Sequence, residues 1–337
     1  MRDIGARAGV HYSTVSLALR NNPTIPEHTR IRIQELAREM GFQPDPVLAR
    51  LAVYRQSNQA ISYRSTLAII TERQSVDAWR QHRIGQRYYQ GITERANELG
   101  YEVESFRLAK AAISAQRLRR ILITRNISGI LVAPLFRSHG HLSFDWSGFS
   151  AVTMGFSLAK PALHRVAMHH YRSVRELIKN LRRLGHRRIA FSFHSGDDER
   201  LDHAWSAALL VERLRRPREE ILYYDTKAFS PESFGEFLAE HRPTVVAGTL
   251  ADLLRHIQQA GYQVPDEISF VNMTLSEEDG TVAGMFEDSK HIGALATDLL
   301  VSMILRNEKG VPALPHIMLV EGKWIEGQTI RAVSSTR

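Results

Sequence analysis

The stretch from Asp3 to Arg20 constrains this chain more than any other, because its apolar residues recur at helical spacing on both sides of a glycine. Ile4 and Ala8 lie four apart on one helical face. Gly9 supplies the backbone freedom for a tight turn, and Val15 with Ala18 and Leu19 forms a second inward stripe. Two short helices packed at an angle are predicted, a helix-turn-helix. Tyr12, Ser13 and Leu17 then share the outward face of the second helix, the arrangement needed to enter a DNA major groove. Taken alone, these residues fit a plain surface helical hairpin equally well.

Ile33, Leu36, Ala37 and Met40 follow the i, i+3, i+4, i+7 rule, so 27–40 is predicted as a third helix that closes a small core, with Gly41 stopping it. This trio carries Val-x-x-x-Thr-Val-Ser at 10–16, Thr29-Arg30, and Gly-Phe-x-Pro at 41–44. With these marks the chain resembles the lactose-repressor (LacI/GalR) family of bacterial transcription regulators. Leu-x-x-Leu-Gly-His-Arg-x-Ile at 181–189 and Val-Pro-Asp-Glu-Ile-Ser at 264–269 extend the resemblance over nearly the whole chain.

At 337 residues with 43% hydrophobic content, the chain is long enough for two or three packed domains. It contains no cysteine, which rules out disulfides and thiolate chemistry and suits a reducing cytoplasm. No run approaches the ~18 apolar residues of a membrane span, and the N-terminus lacks a signal-peptide core, so a cytoplasmic protein is expected. Helix 1 begins within two residues of Met1 with only Asp3 as a cap, and a natural start a few codons upstream is expected. The net charge of +8 favours polyanionic partners but is spread over the chain.

After the trio, Asp45 and Pro46 suit a helix start, and 43–56 reads as a helix too short to stand alone. In the family this segment is a hinge that pairs across a dimer and pushes a leucine into the minor groove, and Leu51 matches that position. Pro46 and Tyr54-Arg55 depart from the common hinge. The polar 57–65 segment is a linker.

Beyond it, strands at 66–71, 101–106, 129–133, 151–154, 189–193, 221–224, 244–247 and 268–272 alternate with helices at 88–99, 115–124 and 172–184, which predicts parallel sheets. The resemblance implies a lambda-repressor-like helix-turn-helix domain at 1–42, a hinge and linker at 43–64, and at 65–337 a two-lobed periplasmic-binding-protein-like α/β core of type I. Lobe 1 would take about 65–157 and 289–318 and lobe 2 about 158–288 and 319–332. The chain would cross between lobes near 158, 288 and 319, with 290–305 a helix returning to lobe 1.

No serine-hydrolase elbow, phosphate loop, dinucleotide loop or zinc-protease motif is present, so catalysis is not expected. His164, His169 and His170 lack a carboxylate or cysteine at metal-ligand spacing. Asp197, Asp198 and Glu199 read as a solvated loop, and neither a cofactor nor a metal is expected. The resemblance implies a dimeric repressor binding a palindromic operator. Tyr12 and Ser13 would read base edges, Leu17 would meet a thymine methyl, and Arg20 and Arg30 would hold phosphates. By the same resemblance Trp79, Arg83, Phe156, Arg200, Phe229 and Thr274 would line an effector site, with Trp205 the alternative to Arg200. The aspartates that commonly accept ligand hydroxyls are replaced by Asn272-Met273-Thr274-Leu275 and Gly248-Thr249-Leu250. A neutral hexose is therefore less expected than an anionic or carbohydrate-related effector, or none. The rival reading is a small-molecule binding protein without a regulatory role.

Overall fold

The computed structural model describes residues 2–19, 23–40, 65–72, 78–108, 113–249 and 252–333. Arg20, the hinge with Leu51, and the linker lie outside the described residues.

At the N-terminus, α1 (Arg2–Ala8), α2 (Tyr12–Leu19) and α3 (Glu27–Glu39) bury Ile4, Ala8, Val15, Ala18, Ile33 and Ala37 in one small core. Gly9 at φ 69° ends α1. The N–H of Val10 bonds to the Gly5 carbonyl at 2.9 Å and that of Gly9 to Ala6 at 3.4 Å, a Schellman closure that uses two otherwise orphaned carbonyls.

The core alternates strand and helix. β1 (Ser65–Thr71), α4 (Arg83–Glu98), β2 (Tyr101–Arg107), α5 (Ala115–Thr124), β3 (Gly129–Val132), β4 (Gly140–His141), β5 (Ser150–Met154), β6 (Leu158–Lys160) and β7 (His164–Met168) come first. Next come α6 (His170–Arg183), β8 (Arg188–Phe193), α7 (Ser195–Arg200), α8 (Ala204–Arg215), β9 (Glu220–Asp225), α9 (Pro231–His241), β10 (Val245–Gly248), α10 (Leu253–Gln259), β11 (Ser269–Leu275) and β12 (Ala283–Phe286). α11 (Ser289–Arg306), β13 (Ile317–Val320) and β14 (Lys323–Ile325) complete it.

Two six-stranded sheets result, ordered β13-β7-β5-β3-β1-β2 and β14-β12-β11-β10-β8-β9, parallel except for the antiparallel β12–β14 pair. Parallel strands are covered by helices on both faces, which explains unbroken apolar runs such as Leu67 to Ile70. α4 and α11 cover one face of the first sheet, with Ile92, Ala296 and Leu300 against Leu67 and Ile69, and α5 covers the other. Ser114, Ser230 and Asp288 cap α5, α9 and α11 through their side-chain oxygens.

Two departures from the expected lobes arise from pairing that local pattern does not reveal. β7 inserts between β5 and β13 in the first sheet, so the chain first crosses at His169 and not near 158. β13 also belongs to the first sheet, which moves the third crossing to Glu321-Gly322. The second crossing falls at Glu287-Asp288, and the His169 N–H bonds to the Val320 carbonyl at 2.8 Å, tying the first and third together.

α11 reaches the first lobe through glycine contacts. A Cβ on Gly91 would overlap the Lys290 carbonyl, and one on Gly293 would overlap the Tyr88 carbonyl. Gly91→Leu is expected to cost about 2–3 kcal/mol or more, because overpacked backbone contacts relax poorly; urea unfolding of the variant against the parent checks this.

His170, the first residue of α6, lies edge-on to Trp205 at 6.0 Å, and burial pulls its pKa from 6.5 down to about 4. As pH falls, the unfolded chain takes up this proton before the folded chain does. The stability lost on that account begins near pH 6.5, is complete below about pH 4, and amounts to roughly 3 kcal/mol. His170→Phe should flatten this part of the pH profile in chemical denaturation between pH 7 and 4.5.

Candidate functional site

α2 has a sharply divided surface. Val15 and Ala18 are fully buried, while Tyr12 is 50% and Leu17 36% exposed, with Ser13 exposed beside them. A tyrosine and a leucine left in water on a helix only eight residues long gain nothing for the fold, so this face is free for a partner. His11 precedes the helix, its Nδ1 2.8 Å from the Ser13 hydroxyl and its ring 4.3 Å from that of Tyr12.

The position of this face is set by α3. Arg32 donates through Nη2 to the Ala8 carbonyl at 3.1 Å, and Gln34 through Nε2 to the Ala18 carbonyl at 2.9 Å. These two bonds cap the C-terminal ends of α1 and α2 and fix the angle between them. The sequence pattern marked α3 only by its apolar face, so Arg32 and Gln34 escaped it. Arg30 is half-buried near the start of α3, with its N–H bonded to the Pro26 carbonyl at 2.9 Å.

The second candidate region lies where the carboxyl ends of the parallel strands of the two lobes meet. Ligands bind at such edges in open α/β sheets. Direct bonds cross it. Arg83, at the start of α4, pairs with Glu277 after β11, and Arg200 at the end of α7 donates to the Leu135 carbonyl at 3.0 Å. Arg200 also lies 3.5 Å from Asp197. At the second crossing Tyr88 donates its hydroxyl to the buried Glu287 at 3.2 Å. Burial raises the Glu287 pKa, and burial first, then the Glu287 charge, holds the Tyr88 hydroxyl well above its ordinary value.

The other expected effector residues are scattered. Trp79 is 3% exposed, packed among Tyr88 and Met154 in the first-lobe core and edge-on to Tyr89 at 6.0 Å, so it presents no free ring face. Phe229 packs on Phe234 and His256 in the core beneath α9 and α10 and does not offer a stacking platform. Trp205, the alternative to Arg200, is buried among Phe193 and Leu209. Apolar burial claimed these rings because each sits next to a helix-sheet seam, which loop position alone does not reveal. Thr274 is half-buried, and its N–H bonds to Asn272 Oδ1 at 2.8 Å, so the asparagine turns back on its own chain.

Phe156 is half-buried with the Arg165 guanidinium 5.4 Å from its ring centre. Arg165 was not singled out by sequence. It donates to the carbonyls of Leu158 at 3.0 Å and Gly155 at 3.4 Å, and burial lowers its pKa against the opposing pull of Asp202 in the second lobe. No ion pair of Arg165 is formed among the described residues.

Asp197, Asp198 and Glu199 are not a solvated loop. They form α7, and Asp198, 3% exposed, accepts from the Trp205 N–H at 2.9 Å and the Ser206 N–H at 3.3 Å, capping α8. Among the described residues no group of three or more His, Asp or Glu side chains gathers as a metal ion would require, and no helix is long and apolar enough to cross a membrane.

Comparison with known proteins agrees with this two-part construction. Residues 1–45 match the family described as bacterial regulatory proteins, lacI family, and residues 178–330 match a periplasmic binding protein-like domain. The chain is 35% identical over 65 residues to the probable HTH-type transcriptional repressor ExuR of Bacillus subtilis, a match that covers 19% of this chain and 20% of that protein. It is 26% identical over 290 residues to the HTH-type transcriptional regulator DegA of the same organism, covering 80% of this chain and 79% of the relative. The lac repressor dimer bound to operator and the anti-inducer ONPF shares the fold, with a TM-score of 0.57, 17% identity and 98% of both chains covered. Residues 1–45 thus carry a DNA-binding domain of the lacI family of bacterial regulatory proteins, set ahead of a periplasmic-binding-protein-like core, and this is the construction of a LacI-type transcriptional regulator.

Proposed function

We propose that this regulator is a cytoplasmic, effector-controlled repressor that binds a two-fold symmetric operator as a homodimer. The observation that carries this reading is the outward face of α2, where Tyr12, Ser13 and Leu17 stay in solvent while Val15 and Ala18 are buried. In this reading Tyr12 and Ser13 meet base edges, Leu17 meets a thymine methyl, and Arg20 and Arg30 hold phosphates that orient the domain without specifying sequence. Two such domains in a dimer require matching half-sites, and Leu51 acts as a wedge at a flexible central step such as CG, CA or TA. The lac repressor structure bound to operator and anti-inducer supports the same division of labour.

For the effector, we infer a small anionic ligand held between the lobes. Arg83, Arg165 and Arg200 bring three guanidinium groups to that region, and Arg165 and Arg200 donate to backbone carbonyls there. A carboxylate or phosphate would replace a neutral carbonyl with a charge-assisted acceptor, which strengthens each bond. The Arg200 bond to Leu135 spans the lobes, so an anion that takes over Arg200 alters how the lobes are held.

Two measurements follow. In anisotropy titrations at one fixed salt concentration, using duplex from the intergenic DNA upstream of the gene and a scrambled control, Tyr12→Ala is expected to weaken specific binding roughly tenfold or more. Non-specific binding should hardly change, and equal losses on both duplexes would remove Tyr12 from base reading. In calorimetry of the full chain, an acidic sugar should bind more tightly than its neutral counterpart, with Arg200→Ala abolishing the difference. Micromolar binding of a neutral hexose, unaffected by Arg200→Ala, would contradict the anionic assignment.

A further inference from the structure

His11 sits one residue before α2, outside the Tyr12, Ser13 and Leu17 face, yet it is bonded to one of the three. Its Nδ1 is 2.8 Å from the Ser13 hydroxyl, and its ring lies 4.3 Å from that of Tyr12 at 46°. All three side chains are exposed, so a bond between two of them persists only through local geometry. The His11 carbonyl already accepts the N–H groups of Thr14 at 2.9 Å and Val15 at 3.2 Å, which places the residue as the cap of the helix.

We propose that His11 is a positioning residue for base recognition: it holds the Ser13 hydroxyl proton and thereby makes Ser13 an acceptor-only reader. The inference rests on the reading of α2 as the DNA-reading helix. A serine hydroxyl normally has one proton to donate and two lone pairs to accept with, so it discriminates poorly among bases. The 2.8 Å contact between His11 Nδ1 and the Ser13 hydroxyl holds a single proton, and in the neutral tautomer protonated on Nε2 that proton is the serine's. With Nδ1 accepting, the Ser13 proton is committed to His11 and only lone pairs face the groove. Those lone pairs suit the N6 amino group of adenine or the N4 amino group of cytosine. They repel the O6 and N7 acceptors of guanine and the O4 of thymine. The same tautomer carries its proton on Nε2, at the far side of the ring, where it can donate to a phosphate oxygen. His11 would thus link a backbone contact to the choice of base.

The test is a panel of duplexes with each half-site base pair substituted in turn, titrated by anisotropy at one salt concentration with the full chain and with Ser13→Ala, His11→Ala and His11→Asn. The asparagine side-chain oxygen can take the place of Nδ1. One half-site position should prefer adenine or cytosine on the contacted strand by roughly tenfold, and Ser13→Ala should flatten it. His11→Ala should reduce the preference at that same position severalfold while leaving ratios elsewhere unchanged, and His11→Asn should restore it. If no position responds to Ser13→Ala, the underlying reading of Ser13 as a base reader fails. If a Ser13-sensitive position exists but prefers guanine or thymine, keeps its ratio in His11→Ala, or weakens together with every other position, the positioning role of His11 is overturned.

Discussion

The architecture of the core depends on one backbone-to-backbone contact, the meeting of α4 and α11 at Gly91 and Gly293. Residues 83–98 and 289–306 are far apart in the chain, and only the absence of side chains at these two positions lets the helices approach so closely. By drawing α11 back to the first sheet, the contact makes the first lobe discontinuous. The chain must leave it after β7, return at Glu287-Asp288 and leave again after β13. Three crossings therefore link the lobes, and His169 bonded to Val320 joins two of them. A buried carboxyl at the remaining one, Glu287, is satisfied by Tyr88 and Ser289. That satisfaction matters, since an unpaired buried polar group there would cost folding free energy.

The space between the lobes follows from these crossings. Parallel strands aim their carboxyl ends at the space between lobes, and the residues found there are chiefly arginines with carbonyl or carboxylate partners. The bonds of Arg83 and Arg200 cross from one lobe to the other, so whatever competes for these two side chains competes directly with lobe contact. The outward face of α2 is organised differently. It rests on a core of six small and mid-sized apolar side chains plus two bonds from α3 that cap the other helices. Such a small core cannot bury that face as well.

Periodicity made the helices legible, because α3, α4, α5 and α11 each repeat apolar residues at helical spacing, and the inward and outward faces of α2 could be assigned residue by residue. Tyr12, Ser13 and Leu17 lie on the outward face for that reason. The strands were legible as apolar runs, but their neighbours were not. β7 and β13 entered the first sheet through pairings of long sequence separation that no local pattern encodes. The same limit applies to the region between the lobes. Trp79 after the first strand and Phe229 before the start of α9 are candidates by loop position, but Trp79 is buried in the first-lobe core and Phe229 packs half-buried against its neighbours. Arg165 was invisible because its role comes from Phe156 and Asp202, neither adjacent to it in sequence.

The central claim is that α2 reads DNA from a two-fold assembly. Hydroxyl-radical footprinting of the upstream DNA with the full chain tests it most directly. The account predicts two protected half-sites of inverted sequence related by a two-fold axis, with α2-dependent contacts in successive major grooves about one helical turn apart. Protection of a single asymmetric stretch, or none on any upstream duplex, would contradict it.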